Sequence, residues 1–169
     1  MKLQINIPKK NGSLWLVQDY RKLNQYMIKD KTSLPLIGEV IDKLKNAKYF
    51  NKLDLIWRYN NVWIKEGGKW KAVFLINKDL FKSKVMYFEL CNLPGTFQQM
   101  MNSIFKKLLH EEVLENYIDD FVIPAKAKKK LKERIVQFLK MAKKHNLYFK
   151  LLKYNFNAKK ISILGVVVG

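Results

Sequence analysis

The sequence has a single cysteine, few acidic residues and no long apolar run. Cys91 is the only cysteine among 169 residues, which excludes an intrachain disulfide and is compatible with a reducing compartment. The longest strongly apolar stretch, ISILGVVVG at residues 161–169, is too short to cross a bilayer. The opening residues, MKLQINIPKKNG, contain no apolar segment of the kind that a signal peptide needs. These absences predict an intracellular protein, in the cytoplasm or nucleus, without a membrane span.

The charge balance is strongly one-sided. The chain has 33 Lys+Arg against 14 Asp+Glu, a formal net charge of +19. Such an excess predicts a polyanionic partner, with nucleic acid as the first choice and an acidic membrane surface as the second. Between Pro124 and Lys160 there are 13 Lys+Arg and one acid, Glu133. A solvated helix face explains part of this bias, but its extent over a helix and strands favours a phosphate-facing surface.

Length and apolar spacing predict one α+β domain. Hydrophobic residues make up 49% of the chain, enough for a real core in a single domain of residues 1–169. Helical spacing occurs at residues 34–47, 97–114 and 128–146. Pro94 and Gly95 precede the middle helix, and Thr96 is its predicted N-cap. Strand patterns occur at residues 49–56 and 116–123, and a hairpin is predicted across Gly67-Gly68. The chain begins in mid-pattern and ends on a strand-like run, so we expect it to be part of something longer.

Two adjacent carboxylates, Asp119 and Asp120, interrupt the strand-like run ENYIDDFVIP. An ordinary turn explains them if they are taken alone, since Asp is a common turn residue. Asp54, however, also lies near a strand end, in KLDLIWRY. Distant strands can pair and bring three such acids together, and Mg²⁺ is the ion that prefers carboxylate and phosphate oxygens. Two such ions about 4 Å apart support phosphoryl transfer.

Five sequence blocks, in order, resemble the reverse transcriptases of gypsy-type long-terminal-repeat retrotransposons. The blocks are IPKKNGSLWLVQDYRKLN, LPLIGEVIDKLKNAKYFNKLDL, LCNLPGTFQQMMNSIF, NYIDDFVI and ISILGVVV. The resemblance implies a fingers–palm segment with an antiparallel palm sheet backed by helices, and without thumb, RNase H or integrase. It also implies an RNA-directed DNA polymerase that uses two Mg²⁺ ions, deoxynucleoside triphosphates and an RNA or DNA template–primer duplex.

The resemblance assigns roles to individual residues. Asp54 and Asp119 would hold both metal ions, with Asp120 in support. Lys153 would protonate the leaving pyrophosphate, although a solvated lysine explains it equally well. Tyr59 would exclude a 2′-hydroxyl, with a packed core tyrosine as the alternative. The remaining residues that the resemblance assigns to nucleotide binding are Lys9, Lys10, Phe88, Gln98 and Tyr117.

Several positions depart from the family pattern around the nucleotide pocket. Trp15 stands in place of an arginine that grips triphosphate, and Arg58 and Glu89 replace glycines. We expect crowding and charge repulsion, unless Arg58 and Glu89 form a compensating ion pair. These substitutions are typical of G-to-A and C-to-T transitions. They predict a truncated and decayed copy with low or no activity. The alternative from another class is a non-catalytic basic module that binds nucleic acid, which leaves the three acids unexplained.

Overall fold

The protein consists of two compact units. The first comprises Met1–Lys31 and Tyr59–Thr96, and the second comprises Thr32–Arg58 and Phe97–Gly169. The computed structural model describes residues 4–8, 12, 14–56, 58–76, 79–86, 89–150 and 155–169. Within those residues, no helix combines the length and apolar character that a bilayer crossing requires.

The first unit contains two antiparallel β-hairpin pairs and short helices. Its elements are β1 (Gln4–Pro8), β2 (Leu14–Gln18), helix α1 (Arg21–Tyr26), a 3₁₀ helix (Lys69–Ala72), β4 (Val73–Ile76) and β5 (Asp79–Lys82). Strand β1 pairs with β2, and β4 pairs with β5. A further 3₁₀ helix, Arg58–Asn61, lies at the boundary of the two units.

The hairpin predicted across Gly67-Gly68 is wrong. Gly67 adopts a positive φ of 78°, and the Gly68 N–H donates to Lys65 O at 2.9 Å. This turn leads into the 3₁₀ helix Lys69–Ala72 and not into a returning strand. The partner of β4 is β5, with Val73 opposite Lys82. The glycine pair therefore indicates the position of a turn correctly, but it does not indicate which strand pairs with β4.

The second unit is built on a four-stranded antiparallel sheet. Its strands are β3 (Tyr49–Asp54), β6 (Glu115–Tyr117), β7 (Asp120–Ala125) and β8 (Asn155–Ala158), with a separate hairpin of β9 (Ile161–Ile163) and β10 (Val166–Val168). The strand order in the sheet is β6-β7-β3-β8. Its helices are α2 (Ile37–Leu44), α4 (Lys106–His110), α5 (Lys128–Lys144) and α3 (Leu93–Ile104), which begins in the first unit. The predicted α+β class with an antiparallel sheet backed by helices is confirmed.

Helix α3 begins four residues earlier than predicted, at Leu93 and not at Phe97. Leu93 is its first residue, and the Thr96 N–H donates to Asn92 O at 3.0 Å, so Thr96 is not the N-cap. Pro94 lies in the first turn, where a missing N–H costs nothing because that group has no helical partner. The Pro-Gly pair therefore starts this helix and does not precede it.

One face of the sheet carries an aromatic core. Leu53 and Phe121 are cross-strand partners, so their side chains lie on the same face. Phe121 packs against Phe105, Phe138 of α5 and Phe149, with ring centroids 5.4–5.9 Å apart. These rings are buried and fix α5 against the sheet.

The opposite face carries the acids. Phe50 and Val122 lie on it and pack with residues of α2 and of the β9-β10 hairpin. Asp54 lies four residues after Phe50 in β3, and Asp120 lies two residues before Val122 in β7. Both acids therefore share this face. The lysine-rich helix α5 therefore lies on the other side of the sheet from the acids.

Glu115 of β6 makes the stability of the second unit dependent on pH. Its side chain is 6% exposed and lies 3.2 Å from Lys43 Nζ. Burial raises the pKa of the Glu115 carboxyl, and Lys43 opposes that rise only in part. A carboxyl with a raised folded-state pKa contributes stability below its unfolded pKa, and this contribution is lost as pH rises through the folded value.

We therefore expect Glu115→Gln to gain stability relative to the parent as pH rises from about 4 to about 7. Urea denaturation at a series of pH values measures this difference. Glu133→Gln, at an exposed position on α5, is the matched control and should follow the parent. Parallel stability profiles for the parent and Glu115→Gln would contradict the assignment.

Candidate active site

Two acids meet at the end of the central strands of the sheet. Asp54 is the last residue of β3, and Asp120 is the first residue of β7. They are direct cross-strand partners. Residues in this relation have Cβ atoms about 4.5–5.5 Å apart. The structure therefore places Asp54 beside the Asp119-Asp120 turn, as the sequence predicted, while the roles of these acids stay predictions.

The turn between β6 and β7 has a strained backbone. Ile118 and Asp119 form the two-residue loop, since Tyr117 pairs with Asp120. Ile118 has a φ of +52°, an outlier for a β-branched residue that costs about 1–3 kcal/mol. A positive φ at the first loop residue matches the twist of a tight hairpin, which explains why this conformation is adopted. The strained turn fixes Asp119 next to the acid pair.

Gln98 supports this turn from below. Its side chain is completely buried in α3, and its Oε1 accepts a hydrogen bond from the Ile118 N–H at 2.7 Å. Its Nε2 donates to Asn102 Oδ1 at 2.9 Å, so both ends of the amide are bonded to protein. These contacts make Gln98 a positioning residue for the turn. Its predicted contact with a nucleotide stays a prediction.

Two lysines neutralise the acid pair. Lys150 Nζ lies 3.2 Å from Asp54 Oδ2, and Lys52 Nζ lies 3.1 Å from Asp120 Oδ1. Adjacent carboxylates repel each other, and each ammonium offsets that repulsion. Sequence reasoning missed both lysines. The contact of Lys52 with the acid pair could have been predicted, since Lys52 precedes Asp54 by two residues and lies on the same face of the strand. No feature of the neighbouring sequence indicates that Lys150 contacts Asp54.

The carboxylate oxygens of the acid pair suit a hard divalent cation. Asp54 and Asp120 offer carboxylate oxygens on one face, the type that Mg²⁺ prefers. Among the described residues, however, no group of three or more His, Cys, Asp or Glu side chains is arranged to hold a metal ion. Mg²⁺ usually keeps several water ligands and needs only one or two carboxylates from the protein, so the acid pair fits it.

The other predicted site residues are described only in part. Tyr117 is half-buried and ends β6 opposite Asp120. Tyr59 lies in the 3₁₀ helix Arg58–Asn61, but its side chain lies outside the described part of the structure. The predicted residues that lie outside the described residues altogether are Lys9, Lys10, Phe88 and Lys153. The side chains of Trp15 and Arg58 likewise lie outside it.

Glu89 in the first unit has a cation nearby. The Arg21 guanidinium contacts both oxygens of Asp19, at 3.0 and 2.7 Å, and lowers the pKa of that carboxyl to about 2. Asp19 in turn raises the pKa of Arg21, and the charge of the exposed Glu89 adds to this effect. Arg21 is therefore a favourable neighbour for Glu89, whether or not Arg58 pairs with Glu89.

The sequence is similar to one protein family over almost its whole length. Residues 7–168 match the family model for reverse transcriptase (RNA-dependent DNA polymerase). The transposon Tf2-3 polyprotein of Schizosaccharomyces pombe (strain 972) is 29% identical over 159 residues, and the Tf2-7 polyprotein is 28% identical. Each alignment covers 94% of this chain, which spans only 12% of either polyprotein.

Solved structures show the same fold. A foamy viral protease-reverse transcriptase in complex with dsDNA matches with a TM-score of 0.86 at 17% identity. That match covers 97% of this chain and 34% of the viral one. The foamy viral enzyme in complex with an RNA/DNA hybrid matches with a TM-score of 0.84, also at 17% identity, over 96% of this chain and 21% of that chain.

Proposed function

Because the chain belongs to the reverse transcriptase family, we propose that it carries the polymerase centre of a retrotransposon polyprotein and adds deoxynucleotides to a primer 3′-hydroxyl. The single observation that supports this most strongly is the cross-strand pairing of Asp54 with Asp120. A protein that only binds polyanions gains nothing from two carboxylates side by side in a chain with a net charge of +19.

We assign the reaction to the acids of the second unit. Asp54 and Asp119 would hold two Mg²⁺ ions, with Asp120 in support. When bound, these ions would lower the pKa of the primer hydroxyl and stabilise the leaving pyrophosphate. Gln98 and the strained Ile118 turn would keep Asp119 in register with Asp54. Lys153 would donate the proton to pyrophosphate.

We assign nucleotide binding to a second group of residues. Lys9 or Lys10 would contact the triphosphate, and Tyr59 would lie under the sugar. Phe88 and Tyr117 would contact the bound nucleotide. These roles follow from the positions that the residues occupy in the family pattern, and they agree with the chemistry of each side chain.

The substrate proposed is a template–primer duplex of RNA or DNA. The net charge of +19 supports it, as does the fact that the foamy viral relatives were solved with an RNA/DNA hybrid and with dsDNA. Binding should weaken steeply with added salt, because each phosphate contact releases counterions. We propose that residues 1–169 act as one fingers–palm segment, inside the cell.

We propose further that the pocket of this copy is impaired. A chimera that carries residues 1–169 in a complete related polymerase tests this, beside a version with Trp15→Arg, Arg58→Gly and Glu89→Gly. The reverted version should extend a primer on an RNA template roughly 100-fold faster, since it regains a bidentate phosphate contact and loses a repulsive carboxylate. Equal rates would mean that the pocket tolerates these residues.

A non-catalytic basic module that binds nucleic acid is the second candidate. Helix α5 favours it, because eight of its 17 residues are Lys or Arg and only Glu133 is acidic. The two candidates differ in what Mg²⁺ does. A polymerase centre binds the ion through Asp54, whereas a pure binding module needs no divalent ion.

A further inference from the structure

The ammonium group of Lys150 lies against an oxygen that the proposed function assigns to a metal ion. Lys150 Nζ is 3.2 Å from Asp54 Oδ2, and the Asp54 side chain is only 12% exposed. A magnesium ion approaches a carboxylate oxygen to about 2.0–2.1 Å. An ammonium and a divalent ion on the same oxygen repel each other strongly, because little water separates them.

The backbone holds Lys150 at this place. The Lys150 N–H donates to Asp54 O at 2.9 Å, and Leu55 forms a bridge with Phe149. The side chain is less constrained, since it is 40% exposed. A flexible four-carbon stem on a fixed backbone allows the ammonium to leave the carboxylate without any change in the sheet.

Lys52 differs from Lys150 in a way that can be tested. Its Nζ lies 3.1 Å from Asp120 Oδ1 and also donates to Ser162 O at 2.9 Å. Its side chain is 23% exposed. Because Lys52 is bonded to both Asp120 and the β9-β10 hairpin, its release breaks two contacts where the release of Lys150 breaks one ion pair.

We propose that Lys150 is a tethered cation which competes with the divalent ion for Asp54, and that it leaves Asp54 Oδ2 when the ion binds while Lys52 stays. This inference rests on the proposed function, since it needs the metal site at Asp54. It adds a regulatory property of this chain: the acid pair is stable without metal, and metal affinity is lowered by an internal competitor.

The test is a calorimetric titration of the chain with Mn²⁺, combined with urea denaturation in the absence of divalent ions. Lys150→Gln removes the charge and keeps a polar, unbranched side chain that is one atom shorter. We expect it to bind Mn²⁺ about tenfold more tightly than the parent. The same variant should unfold at a lower urea concentration, because Asp54 loses its cation. If Lys150 only stabilised the fold, Lys150→Gln would lower both the Mn²⁺ affinity and the urea concentration at the unfolding midpoint.

Control variants separate the possible outcomes. Lys143→Gln, at an exposed position of α5, should leave both quantities unchanged. Lys150→Arg keeps the charge and should bind Mn²⁺ no more tightly than the parent. Lys52→Gln should gain less affinity than Lys150→Gln, and an equal gain would overturn the assignment to Lys150.

Two further results would count against the proposal in different ways. Equal Mn²⁺ affinity of the parent and Lys150→Gln, abolished in both by Asp54→Asn, would keep the metal site and overturn the competition. Affinity that does not change when Asp54→Asn is introduced, in either background, would overturn the metal site and with it the proposed polymerase centre.

Discussion

Replacing Asp54 by asparagine is expected to lower Mg²⁺-dependent primer extension at least about 100-fold. Asp54 ends β3 directly opposite Asp120, and its carboxylate is the more deeply buried of the two. An amide has the same shape but no negative charge, so it cannot offset the charge of a divalent ion. The assay uses the complete polymerase chimera with the reverted pocket, on an RNA template.

The matched control for this experiment is Asp42→Asn. Asp42 lies in α2 of the same unit, is exposed and pairs with Lys45 at 2.5 Å. Its loss should change primer extension less than twofold, because a surface ion pair contributes about 0–1 kcal/mol. Far-ultraviolet circular dichroism of both variants checks that they are folded. Activity of Asp54→Asn within a few-fold of the parent would remove Asp54 from the reaction.

Replacing Phe121 by alanine is expected to lower the free energy of unfolding by about 3–5 kcal/mol. Phe121 is fully buried, and its ring contacts those of Phe105, Phe138 and Phe149. The loss combines the transfer of apolar surface with a cavity that three aromatic rings cannot close. A domain is stable by only about 5–15 kcal/mol, so this one change removes a large share.

Phe81→Ala is the comparison that separates the contribution of burial from that of the ring contacts. Phe81 stacks on Phe74 in the first unit with centroids 5.8 Å apart, but it is exposed. We expect a loss of at most about 1 kcal/mol, the magnitude of an aromatic pair without much burial. Urea denaturation of the chain measures both values. Equal losses for the two variants would mean that the four-ring cluster is not the core that holds α5 to the sheet.

The acid pair could be predicted because each part of it left a local signal. Asp54 follows an alternating strand, and Asp119-Asp120 interrupts another one where a tight turn is expected. The resemblance to reverse transcriptases then brought the two segments together. The exact register, in which Asp54 faces Asp120 and not Asp119, depends on β7 lying between β6 and β3.

Other features left no local signal. Lys150 reaches Asp54 across 96 residues of sequence through a bridge that only the folded sheet creates. Gln98 was placed in the right helix, but its hydrogen bond to the Ile118 N–H depends on how α3 packs beneath the turn. The start of α3 differs from the prediction because a Pro-Gly pair is common just outside a helix, whereas here Pro94 and Gly95 lie in its first turn.

The sheet order has a consequence for how the chain assembles during synthesis. Strand β3 lies between β7 and β8, and both partners follow it in the sequence. Asp54 precedes Asp120 by 66 residues (120 − 54), so at ~5–20 residues per second the ribosome needs roughly 3–13 s to deliver the first partner. During that interval both edges of β3 present unpaired backbone groups, the feature that promotes aggregation and chaperone capture. Productive folding of this unit therefore depends on protecting one six-residue strand until β7 arrives.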